Sequence, residues 1–344
     1  VNVQAVHLRH VEQAPRTDRL RILVVIPGRP ADHTMVFARR QARALAERPD
    51  ADVEVFFLES RVSPVGLWRA RRAFRAHIAR FQPQVVHVHY GTMTAFFTVT
   101  VSRVPVVVTY HGSDLNRTPT DGFWRDLFGR LLSQFAALGA AGIICVSEAL
   151  RARLWWRRGK VRIIPMGVEL DRYVPIPRDE ARLRLSWPLD QFIVIFNASR
   201  PGIKRLDIAE ATAHAVRASG VDVRLHLLTG DTSQEEMPVL LCASDALLLC
   251  SDREGSPTMV KEAMACDLPV VSSDVGDVRE RLHGVNPGAV VAQDADELAR
   301  ALLEVHASHT RSNGRALAAR NGIDAKALDE ATMETLRSCA HHGR

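Results

Sequence analysis

The chain has 344 residues, 47% of them hydrophobic and 24% charged, too many for one ordinary core and ample for two α/β domains. No apolar run approaches the roughly 20 residues that cross a bilayer, and the polar start (Arg9, Glu12, Arg16, Asp18, Arg19) lacks a signal-peptide apolar region, so a cytoplasmic protein is expected. Net charge is +6 but uneven: residues 1–170 hold 25 Lys and Arg against 13 Asp and Glu, and residues 171–344 hold 20 against 26, so the basic first half invites phosphates, a membrane surface or nucleic acid.

In chain order, LRILVVIP (20–27) is a continuous apolar run, as a parallel strand buried on both faces requires. A helix is expected near Val36 to Arg48, a strand at 53–60 and a helix at 67–81. That second helix carries Leu67, Phe74, Ile78 and Phe81 on one side and Arg69, Arg72, Arg75 and Arg80 elsewhere. Strands are expected at 83–90, 104–111, 141–147 and 160–165. MGVELDRYVPIP then reads as a connector rich in Pro and turn residues. The pattern restarts with strands at 192–199, 223–230, 245–251, 269–276 and 288–291, and helices at 205–218, 257–266 and 294–306.

This repetition predicts an α/β protein of two Rossmann-like domains, their parallel sheets facing each other across a cleft. The expected boundaries are 1–170 and 171–323, with a helix in 324–344 packing back on the first domain. The five Cys, at 145, 242, 250, 266 and 339, form no C-x-x-C pair and read as buried reduced thiols. There is no G-x-G-x-x-G after the first strand, no P-loop and no G-x-S-x-G elbow, which removes the main support for a dehydrogenase, a P-loop enzyme or a serine hydrolase.

Ligands of such sheets bind beyond the carboxyl ends of the strands, and three segments there could carry chemistry. In CSDREGSPTMVKEAMACDLPVVS (250–272), Glu254 lies in a loop. Ser256 and Pro257 should cap and open a helix whose N–H groups suit a diphosphate. Glu262 falls on its second turn. A capped connector helix with two solvated glutamates is the plainer alternative. In FNASRPGIKRLDIAEA (196–211), Arg200 and Lys204 lie in a loop where two cations could neutralise a leaving diphosphate; a solvated basic loop would look the same. In VVVTYHGSDLNR (106–117), His111 ends a strand and could contact a sugar or acceptor, with Asp114 capping the residues after it. His87 and His89 share a strand face but lack the further ligands of a metal site. Ser147 should cap the helix after it.

Taken together, EGSPTMVKEAMA, TYHGSDL, VHVHYG, ICVSEALRARL and IIPMGVELDRYVP occur in an order that resembles glycosyltransferase family 4 of the GT-B fold, and within it enzymes of bacterial surface polysaccharides. The resemblance covers residues 20 to 310. It implies a retaining hexosyl transfer from a nucleotide diphosphate sugar, with no metal and no cofactor. By the same resemblance Glu254 contacts donor-sugar hydroxyls and Glu262 holds the ribose. Arg200 and Lys204 bind the diphosphate, and Gly255, Ser256, Thr258 and Met259 offer backbone N–H groups. Gly28 lets the first loop approach the phosphates, and His111 lines the sugar pocket. Family frequency points to UDP. The first loop departs from the pattern, with one Gly and with Met35 where relatives have Gly. The Arg200 to Lys204 spacing is one residue short, and the stretch after LHLLTG is abbreviated.

Other readings stand beside this one: a GT-B-like nucleotide-sugar epimerase, a non-catalytic nucleotide-sugar binder, and a nucleic-acid binder. The last is disfavoured because no basic, aromatic-rich motif accompanies the charge. The basic half suits an anionic membrane surface, at the inner face of the membrane, and a lipid-linked acceptor. Trp68 lies among Arg69, Arg71, Arg72 and Arg75, and Trp155 and Trp156 among Arg151, Arg153, Arg157 and Arg158. A solvated basic face with packed tryptophans is the alternative.

Overall fold

A computed structural model describes residues 19–32, 34–117, 122–230 and 232–341. The polar positions Arg9 to Asp18 lie outside them. The chain forms two compact units, one holding the residues up to Pro165 together with those from Asp329 on, the other Met166–Leu328.

The first unit is a parallel sheet of six strands: β1 (Leu20–Pro27), β2 (Ala51–Leu58), β3 (Val85–His89), β4 (Val106–Tyr110), β5 (Gly142–Cys145) and β6 (Val161–Ile163), in the order β2-β1-β3-β4-β5-β6. Its helices are α1 (Val36–Ala46), α2 (Pro64–Phe81), α3 (Thr92–Val101), α4 (Phe123–Gly139) and α5 (Glu148–Arg153). Residues Ile22 to Ile26 of β1 are fully buried, as expected where helices cover both faces of a parallel sheet. Ser147 caps α5, its hydroxyl accepting from the N–H of Leu150.

Two helices of this unit are not among the elements expected from the sequence. TMTAFFTVTV is rich in β-branched residues that disfavour helix, yet it forms α3. Two of its threonines donate their hydroxyls back to the helix, Thr98 to the Thr94 carbonyl and Thr100 to that of Phe96, each at 2.8 Å. Helix α4 pairs extensively with α3 and buries Leu132, Ser133, Ala136 and Ala137.

The second unit contains α6 (Arg178–Leu185), β7 (Phe192–Asn197), α7 (Pro201–Lys204), α8 (Leu206–Ala218), β8 (Val223–Leu228), α9 (Met237–Ala243), β9 (Ala246–Leu249), α10 (Thr258–Ala265), β10 (Val270–Ser273), α11 (Val278–Arg281), β11 (Ala289–Val291), α12 (Ala295–Ser308) and α13 (Gly314–Arg320). Its five parallel strands run β11-β10-β9-β7-β8. Alternation sorts them between two cores: Val194, Leu248 and Val271 pack with α8 and α12, whereas Ile195, Leu247 and Val270 pack on the other face with α9 and α10. Truncating one of these, such as Leu248 to Ala, should cost about 2–5 kcal/mol.

The last helix, α14 (Ala325–His341), begins in the second unit, where the Ala325 N–H donates to the Val168 carbonyl at 2.9 Å. From Asp329 on it belongs to the first. There Asp329 accepts from Gln41 at 2.9 Å, and Glu330 pairs with Arg48 at 2.7 Å. Of the five cysteines, all unpaired, only Cys339 is not buried.

Candidate functional site

In the second unit the first strand, β7, lies between β8 and β9, so the chain leaves neighbouring strands in opposite directions and opens a crevice at their carboxyl ends. The turns after β7 and β9 meet there. Lys204 Nζ lies 2.5 Å from Glu254 Oε1, with both side chains less than one-fifth exposed. Beside them Arg205 pairs with Asp252 at 3.1 Å, and the Asp252 N–H donates to the Ile203 carbonyl at 3.0 Å. The contacts zip two loops that are 50 residues apart in sequence. Arg200 and Lys204 do not lie in an open loop as expected. Pro201 nucleates the short helix α7, with Arg200 at its N-cap and exposed, and Lys204 at its end.

The head of α10 also differs from expectation. Ser256 is not the cap and Pro257 is not the first helical residue. Pro257 occupies the cap position with φ −65° and ψ 117°, and Thr258 begins the helix. The Ser256 hydroxyl instead donates to buried Asp277 at 2.6 Å, and Asp277 pairs with Arg281 at 2.9 Å. The charge-assisted bond to the carboxylate fixes the direction of the serine side chain. The N–H groups of Thr258 and Met259, in the first turn, have no acceptor within the helix. Glu262 is half-buried one turn further on, and Gly255 is buried.

Gly276, which the sequence did not single out, holds this loop in place. It has φ +63°, and a Cβ there would lie 2.9 Å from the Gly255 carbonyl oxygen and 3.2 Å from Glu254 Cβ. Only glycine allows the β10 turn to back directly onto the Glu254–Gly255 backbone.

The first unit has its own crevice, where β1 lies between β2 and β3. Gly28 leaves β1 with φ +109°, and a Cβ would meet Asp32 Oδ2 at 2.9 Å. That carboxylate accepts from the Arg29 N–H at 2.7 Å. Arg39, from α1, donates to the carbonyls of Thr34, Pro30 and Arg29 at 2.9, 2.8 and 2.6 Å, and its guanidinium lies 4.6 Å from the Phe57 ring centroid. It is a clamp for the whole loop that a basic helix face gave no reason to single out. Met35 sits in the left-handed region with φ 56°, a conformation that costs a side chain about 1–2 kcal/mol.

The β3 exit is strained as well. Tyr90 has φ 78° and Thr92 has φ 53°, and a β-branched residue there is an outlier of the kind that gathers at functional sites. Asp114 enforces the geometry. It does not cap the residues after it; its buried carboxylate accepts from the N–H groups of Gly91 at 3.0 Å, His111 at 3.0 Å and Gly112 at 2.8 Å. Burial pushes this carboxyl's pKa up against the lowering by those bonds. Behind the loop three imidazoles form a row. His87 contacts Thr109 Oγ1 at 2.8 Å, and His89 Nδ1 contacts His111 Nε2 at 3.1 Å, with their rings stacked 5.3 Å apart. Burial holds them neutral, pushing His87 down to about 4, His111 to about 3, and His89 down too. His87 and His89 were expected to share a strand face; His111 joins them, and Phe37 packs on it with ring centroids 4.4 Å apart.

A cavity of about 640 Å³ opens at this edge, lined among others by Arg29, Arg61, Tyr90, Ser113, Arg125 and Phe128. The Tyr90 hydroxyl and Ser113 Oγ are 2.9 Å apart across its wall. A second cavity, of about 530 Å³ and bounded by Arg178, Asp245 and His306, lies in the other unit at the start of β7, the wrong end of a parallel sheet for a ligand. Its charges serve the fold: Asp245 accepts from Arg178 at 3.1 Å and from buried Arg182 behind the cavity wall. No group of three or more His, Cys, Asp or Glu among the described residues is arranged to hold a metal ion. No helix there is long and apolar enough to cross a membrane.

Comparison with known proteins agrees with this architecture. Residues 24–172 match the family described as Glycosyltransferase Family 4, and residues 202–308 match Glycosyl transferases group 1. A putative teichuronic acid biosynthesis glycosyltransferase of Bacillus subtilis is 30% identical over 218 residues, 57% of this chain and 54% of that protein. The chain thus spans about half the length of that curated relative. Among solved structures, sucrose-phosphate synthase from Thermosynechococcus elongatus has a TM-score of 0.76 at 20% identity, over 93% of this chain and 99% of that one. Anabaena HepE in complex with UDP-glucose has a TM-score of 0.73 at 19% identity, over 93% and 100%. Both share the GT-B fold. The first half of the chain therefore matches Glycosyltransferase Family 4 and the second half Glycosyl transferases group 1, on a GT-B fold.

Proposed function

We propose that the protein is a retaining, metal-independent glycosyltransferase that takes a hexosyl group from a UDP-sugar and delivers it to an acceptor of cell-surface polysaccharide or glycoconjugate synthesis. The observation that carries this reading is the Lys204–Glu254 pair, 2.5 Å apart at the mouth of the second unit's crevice and beside the head of α10. A diphosphate needs a cation and free N–H groups; a sugar hydroxyl needs a carboxylate acceptor, and all of them are adjacent here. Arg200 and Lys204 neutralise the diphosphate, with backbone N–H groups from Gly255, Ser256, Thr258 and Met259. Glu254 accepts from the sugar, and Glu262 holds the ribose hydroxyls.

In the reaction the C1–O bond to the diphosphate breaks and a C1–O bond to the acceptor forms on the same face. The acceptor proton passes to the departing phosphate oxygen, so no separate carboxylate base is used. Arg200 and Lys204 stabilise the charge that develops on that oxygen. In the first unit His111, held neutral, offers a ring nitrogen to a hydroxyl of the acceptor. Gly28 gives the first loop its close approach to a phosphate of the acceptor. The 640 Å³ cavity of the first unit receives the acceptor, its arginines favouring an anionic, lipid-linked one.

The test is turnover of UDP-sugars in EDTA, followed by NMR of the product anomer. UDP release with an α-linked product from an α-linked donor supports the reading. Binding without turnover on any acceptor favours the non-catalytic binder. Conversion of free UDP-sugar to its 2-epimer favours the epimerase.

A further inference from the structure

Helix α4 is apolar on two faces, and only one is covered. Leu132, Ser133, Ala136 and Ala137 are buried. On the opposite side Trp124, Phe128, Leu131, Phe135 and Leu138 follow one another at steps of 4, 3, 4 and 3 residues. That spacing draws a continuous stripe along a helix, about 21 Å long at 1.5 Å per residue. Trp124 is 77% exposed, Phe128 58%, Phe135 50% and Leu138 49%. A stripe of this regularity inside a protein would be a core seam, but here it faces outward.

The segment after α5 widens it. Gln134 accepts from the Trp155 N–H and donates to the Arg153 carbonyl, both at 3.0 Å, while Trp156 Nε1 donates to the Gln134 carbonyl at 2.7 Å. These bonds set the Trp156 ring 6.0 Å from Phe135 and 5.6 Å from Trp155. Arg157 closes the arrangement by donating to the Ala137 and Leu138 carbonyls at the end of α4. Arg157 and Trp156 are therefore structural, and the aromatic surface is a rigid part of the unit.

Charge identifies the occupant. Residues 123–160 hold seven Lys and Arg against two Asp and Glu. Both acids are already paired, Asp126 with Arg130 at 2.9 Å and Glu148 with Arg151 at 2.5 Å. Arg125, Arg153, Arg158 and Lys160 are exposed along the same segment. A second copy docked symmetrically on this face would set those cations against themselves. An anionic lipid surface complements them and takes tryptophan and phenylalanine into its headgroup zone.

We propose that the exposed face of α4, extended by Trp155, is a docking surface for an anionic lipid bilayer. It stands apart from the donor reading, since none of Trp124, Phe135 and Leu138 takes part in that site. Phe128 and Arg125 also line the 640 Å³ cavity, so docking sets the mouth of that cavity at the lipid surface.

The test is cosedimentation of the full chain with vesicles of phosphatidylcholine alone or mixed with phosphatidylglycerol, at low and high salt. The wild type should bind the mixed vesicles at low salt. Trp124→Ser with Phe135→Ser should reduce partitioning by about tenfold or more. Trp68→Ser, an exposed tryptophan on α2, should change it by less than about twofold. An unchanged melting temperature shows that the double variant is folded, and unchanged UDP-sugar stabilisation shows its donor site intact. The proposal is overturned if the wild type ignores phosphatidylglycerol, or if Trp68→Ser removes binding and the double variant does not. It is also overturned if sedimentation velocity shows a wild-type dimer that the double variant dissolves with no vesicle binding.

Discussion

Acidification should weaken the first unit through its histidine row, and His87 gives the size of the effect. It is fully buried and its imidazole sits at about 4, against an ordinary value of 6.5. A folded value below the unfolded one leaves stability untouched above about pH 6.5, because neither state binds the proton. Below that the unfolded chain takes up a proton that the folded chain refuses, and stability falls until pH reaches the folded value. From about pH 7.5 to about pH 5 the loss from His87 alone is about 2 kcal/mol. For a unit of this size that corresponds to about 4–8 °C in Tm. Calorimetry at the two pH values, on wild type and His87→Gln, isolates the contribution of His87. Gln keeps a hydrogen-bonding group near Thr109 Oγ1, the 2.8 Å partner of His87 Nε2, but cannot titrate. The variant should lose about 2 kcal/mol less than wild type on acidification. Equal pH dependence in the two proteins would refute a neutral, buried His87.

Three further outcomes are expected. Gly276→Ala should destabilise by about 1–3 kcal/mol, through its positive φ and the clash with the Gly255 carbonyl, and should abolish UDP-sugar stabilisation in a thermal-shift assay; a variant that binds normally would show that this backing is not needed. Arg39→Ala leaves three carbonyls of the first loop without their donor and should speed amide exchange at Arg29, Ala31, Asp32 and Thr34 while the β1 amides stay protected, as read by hydrogen-exchange mass spectrometry. Met35→Gly relieves the left-handed residue and should be neutral to stabilising by up to about 1 kcal/mol in urea unfolding, whereas a loss of more than that amount would mean Met35 packing outweighs its strain.

The sheet was legible because parallel strands buried on both faces must be nearly all apolar, and runs such as LRILVVIP and FIVIF cannot be much else. Helix α3 was not, because its β-branched sequence contradicts helix propensity and is overruled by burial against α4. At the candidate site, the residue types and their position after strands could be read from the sequence, including Glu254, Glu262, Arg200 and Lys204. Their partners could not. That Lys204 meets Glu254 depends on β7 and β9 being neighbours, a pairing of distant segments that no local pattern encodes. Gly276 escaped notice for a related reason, since it backs a loop that belongs to an earlier strand; Arg39 escaped because its partners are backbone carbonyls, which carry no side-chain signal. Ser256 was misassigned because a cap signal is local, whereas its real partner, Asp277, arrives from the next strand's turn.

The most direct test of the central claim is titration of UDP-sugars in EDTA into wild type, Lys204→Met and Glu262→Ala, read by calorimetry. The wild type should bind, and each variant should lose about tenfold or more in affinity, as removal of a charge-assisted hydrogen bond implies. Wild-type affinity in both variants, or no binding by the wild type to any UDP- or GDP-sugar, would contradict a nucleotide-sugar site at the head of α10.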